Sequence, residues 1–498
     1  MQQRPFLYIL AIAACWLSLA SCKKFVDYQV NPNLPTQADP ALELTNIEQT
    51  ALATISADAA LASRYLVYTQ SASVTQYYGW QRSSFNTYGN IRQVVKMEQE
   101  AARLGKTNYR YLGKFFRAYY IVGLTLTFGD VPYTQMMRSM NNDLSPEAVR
   151  PVYDKQADIY LGVLNDLKLA SDSLAPANGD INGDVIYNGD ISKWKKAINA
   201  FSLRVLMSLS LKEGNAQLQV KKRFNDIVSN PAQYPLFGSN SDNLALPYYD
   251  INGNRYPYYN NNSLKTDYYL DSSFVSILQQ LKDPRLFVFG TPAAATGLPA
   301  GNFAAYAGLP GSAPLSNNVQ RMSAGFASAI NRRYAYDPVN EPSVAMGYAE
   351  LQFILAEAAV RGWISGNAGD YYRKGIQAAM QFANYKNTGY TDADVQSYLS
   401  QPAVQLQPAS ALAQIATQKY IALFMNTGWE AFYNQRRTGV PVFETGGSGI
   451  LNNGKVPLRW MYPTDEYNNN GENVNAAVKA QYPNGDDING IMWLLKAE

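Results

Sequence analysis

The strongest constraint on the fold is a series of apolar stripes at helical spacing, each stopped by glycine or proline. Over about residues 41–78, Leu44, Ile47, Ala51, Leu52 and Ile55 fall on one face, continued by Leu61, Tyr65 and Tyr68. A second stripe over about 109–127 runs through Leu112, Phe115, Phe116, Tyr119, Val122 and Leu126 and stops at Gly129 and Pro132. Pro151 suits the first turn of a third helix, which carries Ile159, Tyr160, Val163, Leu164 and Leu167. Residues 189–209 place Trp194, Ile198, Phe201, Val205 and Leu209 on a buried face. The pattern returns at 346–363, 370–385 and 411–439, the last ended by Gly439 and Pro441. Helices of roughly 15–20 residues joined by short turns imply tetratricopeptide-like pairs, without a strict 34-residue repeat. The expected fold is mainly α, in one compact body spanning 41–498.

Between about 230 and 344 the character changes. Tyrosine and asparagine cluster at 256–262, and residues 286–320 carry no charge but many Gly, Pro and Ala. This predicts a loop-rich insert with short strands.

The core must be sufficient without staples, because the chain has two cysteines, Cys15 and Cys22, both near its start. Histidine is absent, which removes Ser-His-Asp and Cys-His catalysis, imidazole zinc sites and histidine pH switching. A net charge of +3 on 498 residues leaves no electrostatic footprint for nucleic acid. The 37 tyrosines suit surfaces that are both apolar and hydrogen-bonding.

The first 21 residues read as a secretory signal: Arg4, then an apolar run from Phe6 to Leu19, too short for the about 20 residues that span a bilayer. Leu19-Ala20-Ser21-Cys22 looks like a bacterial lipobox, in which Cys22 becomes the first mature residue and carries the lipid. Residues 22–40 then form an extended tether, with Lys23 and Lys24 directly after the cysteine and Asp27 further on.

Several strings go beyond periodicity. FGDVPYT, PVYDKQADIY, GDISKWKKAINAFSLRVLMSL, YAELQFILAEAAVRGW, GWEAFYNQRRTGVPVF, RWMYPTDEYNNN and the near-terminal MWL follow one another in that order. With the lipobox, this ordered set resembles the SusD/RagB-like family of outer-membrane nutrient-binding lipoproteins, in the branch described as starch-binding and associating with the outer membrane. The resemblance covers roughly residues 22–498. It implies a cell-surface binding protein with no enzymatic role, lipid-anchored on the outer membrane and facing the exterior; no cofactor or metal is expected. It also implies a SusC-like TonB-dependent β-barrel transporter as partner. Ligands in the family are mostly glycans, and some members handle peptides.

Most matching motifs read as structure. Glu430, Arg436 and Arg437 suit an ion pair or helix-end charge, Asp130 a turn, and Trp194 and Trp429 the core. Asp180, Asn182 and Asp184 open like a calcium loop, but Val185 replaces its glycine and Ile191 its glutamate, so an Asx-rich turn is expected. For ligand, a sugar needs aromatic faces beside fixed polar partners. Tyr77, Tyr78, Trp80, Arg82, Asn86 and Tyr88 supply both in one loop, expected to be exposed, and Tyr258 and Tyr259 with Asn260 to Asn262 supply a second. Tyr334 and Tyr336 are a third candidate. Alternatively these tyrosines fill gaps among irregular loops. Competing functions are a two-carboxylate glycoside hydrolase, for which no acid pair stands out, and a helical scaffold that docks on the transporter without binding nutrient.

Overall fold

The computed structural model describes residues 38–141, 143–384, 386 and 389–497. The signal segment, Cys22 and the tether as far as residue 37 lie outside the described residues.

The principal helices are α1 (Pro40–Ala51), α2 (Thr87–Leu104), α3 (Thr107–Phe128), α4 (Gln156–Ser173), α5 (Ile191–Ser208), α6 (Val220–Ser229), α7 (Tyr348–Val360), α8 (Ala368–Ala383), α9 (Ala411–Ala422), α10 (Glu430–Thr438) and α11 (Gly471–Gln481). Helix α1 starts where Asp39 accepts a hydrogen bond from the Ala41 N–H and Pro40 occupies the first turn. Asp39 also pairs with Lys106 (2.9 Å), which sits in the turn between α2 and α3. Helices α2 with α3, α4 with α5, and α7 with α8 pack in sequence-adjacent pairs; α3 also packs on α4, and α7 on α9 and α5. This is the helix-pair stacking that the apolar stripes imply.

Helix α3 is buried over most of its circumference, as expected of an element flanked on two sides. It ends at Gly129, whose φ of 94° favours glycine and where a Cβ would strike the side chains of Gln481 and Tyr482. The Asx-rich segment is a turn that leads into α5, whose own cap is Asp190. Asp184 accepts from the N–H groups of Ile186, Tyr187 and Gly189 (2.8–2.9 Å) and from the indole of Trp194 (2.8 Å). Trp194 itself is fully buried, in edge contact with Phe115, Phe116 and Tyr187.

Two strand pairs tie the middle of the chain to the helices. Strand β1 (Leu66–Tyr68) pairs antiparallel with β3 (Tyr268–Leu270), and β2 (Leu244–Leu246) with β4 (Ser343–Met346). The 230–344 segment also contains helices at Ser272–Gln280 and Leu315–Ser323, so it is less irregular than its composition suggests.

Three stretches differ from the periodicity reading. The helical stripe over 41–78 breaks after Ala51 because Thr54 is drawn to β4, its N–H and hydroxyl bonding Ser343 Oγ (2.7 and 2.9 Å). Helix then resumes only over Ala57–Ala62. The stripe over 411–439 is two helices, α9 and α10, with a turn between them. Helix α2 begins inside the loop expected to carry Tyr77 to Tyr88 and runs on beyond it; its stripe of Ile91, Val94, Met97 and Ala101 carries the period.

Candidate functional site

The loop before α2 does not present its aromatic rings. Tyr78 is fully buried, its hydroxyl donating to the Ala62 carbonyl (2.9 Å) and its ring covered by Arg64 at 4.2 Å. Tyr77 is also buried. Trp80 is 6% exposed and donates its indole N–H to the Arg459 carbonyl (3.2 Å). The expectation that these three are exposed is therefore corrected: the aromatic loop is folded inward as core. Arg82 and Asn86 remain at the surface; Arg82 bonds Asp486 (3.0 Å) and the Tyr462 carbonyl, and Asn86 begins α2. Tyr88 is half-buried, donating to the Pro132 carbonyl (2.6 Å). Tyr258 and Tyr259 are half-buried, and their ring partners, Tyr256 and Arg255, belong to their own segment. The Tyr258 hydroxyl accepts from the Ala57 N–H (2.7 Å). Tyr334 is buried and Tyr336 exposed.

The chain instead forms a cleft of about 330 Å³ between α3, α5 and the turn that separates α9 from α10. Its aromatic wall is Tyr119 and Tyr120 from α3, Phe201 from α5, and Trp429 and Tyr433 from the turn and α10. Thr54, Ser83, Ser84, Thr87 and Thr127 bring hydroxyl side chains to the lining, beside apolar residues such as Val122, Leu124 and Val205. The Tyr120 hydroxyl is buried with no protein partner, while that of Tyr433 meets Thr127 Oγ1 at 3.1 Å. Burial pushes the Tyr119 phenol up to about 12, so it is neutral and able to donate.

The turn that carries Trp429 is strained. Met425, Thr427 and Gly428 have φ of 55°, 59° and 60°. For the β-branched Thr427 this left-handed conformation costs about 1–2 kcal/mol. Asn426 holds it in place, its side-chain oxygen accepting from the N–H groups of Val344 (2.7 Å) and Thr427 (3.1 Å) and its amide donating to the Pro342 carbonyl (3.0 Å). The strain is thus offset by attachment to β4. Such outliers gather where geometry serves a ligand.

Trp429 is half-buried and lines the cleft, not the core position that its helical stripe suggests. Behind it stand Trp80 and Trp460, whose rings meet its own edge-on at 5.9 and 4.8 Å. The signal for this residue is present in Asn426-Thr427-Gly428, a turn sequence that breaks the stripe just before the tryptophan.

Below the cleft lies a buried charge network. Arg204 bonds both Glu350 oxygens, and Lys419 bridges Glu350 (3.1 Å) and Glu430 (3.4 Å). Burial pushes the Glu350 carboxyl up, but Arg204 and Lys419 override it and hold it below the usual carboxylate range. Arg437 bonds Glu357 with two N–H groups (2.6 and 2.7 Å). Glu430 therefore pairs with Lys419, not with the arginines of its own helix.

The SusD-like family described as "Starch-binding associating with outer membrane" matches residues 32–463. The chain belongs to this family. A Bacteroides vulgatus structure described as a putative outer membrane protein, probably involved in nutrient binding, shares 37% identity with this SusD-like chain. It superposes with a TM-score of 0.85, covering 92% of this chain and all of that one. A SusD homolog from Bacteroides fragilis shares 40% identity at a TM-score of 0.84, with 93% and 100% covered. A chitin-binding protein shares 26% identity at 0.72, with 92% and 96% covered. No curated protein matches the sequence. The mainly helical fold and the family expected from the ordered motifs are those observed. The family is associated with the outer membrane. Among the described residues, no helix is long and apolar enough to cross a membrane.

Proposed function

We propose that this SusD-like protein is a cell-surface lipoprotein, anchored through Cys22, that captures an oligosaccharide and passes it to a SusC-like TonB-dependent β-barrel transporter. The observation that carries the ligand class is the cleft: aromatic rings of Trp429, Tyr119 and Tyr433 beside hydroxyls, of which those of Thr54 and Thr127 are held by hydrogen bonds. Sugars offer C–H faces to the former and hydroxyls to the latter. A chitin-binding relative supports a glycan over other nutrients.

A binding role fits the acids better than hydrolysis does. Glu430 is the one carboxylate among the residues lining the cleft, and it is engaged by Lys419. Two-carboxylate glycoside hydrolysis needs a facing pair. The two loops singled out from composition contribute differently to this proposal: Trp80 supports Trp429 from behind, and Tyr258 and Tyr259 stand on a separate segment.

Purification from detergent-solubilised outer membrane tests the assignment. The reading expects a β-barrel transporter and a retained glycan to co-purify. A protein that comes alone, carries no glycan and releases reducing sugar from a glycan panel would contradict it.

A further inference from the structure

A cavity of about 20 Å³ lies beyond the charge network under the cleft, closed on one side by Leu494 and Leu495 of the near-terminal MWL segment. That volume holds one water-sized or slightly larger species, because a single water needs about 10–15 Å³. Four cationic side chains line it: Arg204, Lys419, Arg436 and Arg437. The carboxylates that reach these cations are Glu350, Glu357 and Glu430. Glu357 is shared further with Arg361 (2.9 Å). Among the described residues the cluster thus carries more positive than negative charge.

The excess falls on Arg436. Its Nη atoms donate to the carbonyls of Leu458 (2.6 Å) and Leu126 (2.8 Å), and among the described residues no carboxylate bonds it. Those carbonyls, one of them in the last turn of α3, supply only partial negative charge. Its Nε–H is buried without a protein partner, and so is the side-chain amide of Asn434, which also lines the cavity. Asn434 is fixed from its other end, its oxygen accepting from Arg437 (3.0 Å). Two residues that each carry a buried, unpartnered donor nitrogen therefore line one small cavity inside a cluster of excess positive charge. A neutral water satisfies the donors but leaves the charge uncompensated, which is costly in a buried site.

We propose that this cavity binds a small monovalent anion, of the size of chloride or bromide, between Arg436 Nε and Asn434 Nδ2. The anion completes the charge balance of the network that joins α5, α7, α9 and α10, and so sets the floor of the cleft. This inference stands independently of the glycan reading.

The test uses the purified protein at constant ionic strength, with gluconate, too large for the cavity, replaced stepwise by chloride. The melting temperature is expected to rise with saturation, by about 2–3 °C once chloride exceeds its Kd a hundredfold. Asn434→Asp keeps the oxygen that accepts from Arg437 and supplies an internal negative charge; it is expected to fold and to lose the chloride dependence. Crystals grown in bromide are expected to give an anomalous peak within hydrogen-bonding distance of both nitrogens. A wild-type melting temperature indifferent to chloride, a variant that retains the full dependence, or the absence of a bromide peak would each overturn the proposal.

Discussion

Trp80 lies on Trp460 with ring centroids 4.8 Å apart and planes 11° from parallel, and Trp429 meets both rings edge-on. One of these three indoles borders the cleft and the other two fix its orientation. Separating those roles gives the first prediction. Trp80→Ala removes a side chain that is 6% exposed and is expected to cost about 3–5 kcal/mol of stability. Chemical denaturation checks this; a loss below 1 kcal/mol would mean that the indole is not part of the core.

The inward turn of Trp80 also explains what the sequence could and could not convey. The long helices are written in their apolar period, as Leu112, Phe115, Phe116 and Tyr119 of α3 show, because burial enforces that period locally. Helix α2 carries an equally regular stripe, but it begins inside a run of aromatic and amide residues that reads as loop. Whether Trp80 faces outward depends on partners far along the chain, Arg459 and Trp460, and no local pattern encodes that. The same holds for Trp429. Its exposure follows from the strained turn before it, which a continuous stripe over 411–439 conceals.

That turn is itself testable. Thr427 holds a left-handed φ of 59° that asparagine adopts more readily. Thr427→Asn is expected to raise stability by up to about 1 kcal/mol, read as an increased denaturation midpoint. A lower midpoint would show that the conformation carries no strain.

Glu48 gives a pH signature. It is fully buried beside Asp184, with one oxygen accepting from the Val185 N–H (2.8 Å) and the other without a hydrogen-bond donor among the described residues. Burial first, and then the neighbouring Asp184 charge, push its carboxyl up to about 10 from an ordinary 4.5. Between those values the folded state keeps a proton that the unfolded state releases, so stability falls as pH rises. Glu48→Gln mimics the protonated form and is expected to flatten this slope, with a gain on the order of a few kcal/mol at pH 8. Thermal melts from pH 5 to 9 decide; parallel curves for both proteins would refute it.

For the anchor, Cys22→Ala is expected to abolish lipid labelling in cells and to release the protein from the membrane fraction. Retained label would refute the lipobox reading.

The central claim is that the cleft beside Trp429 takes a glycan, and calorimetric titration with a panel of neutral oligosaccharides, chitooligosaccharides included, tests it most directly. Wild-type protein is expected to bind at least one member. Trp429→Ala is expected to weaken that binding about tenfold, by loss of about 1.5 kcal/mol of ring stacking, while the denaturation midpoint shifts far less than in Trp80→Ala. Undiminished affinity in a folded Trp429→Ala protein would place the ligand elsewhere and contradict the account.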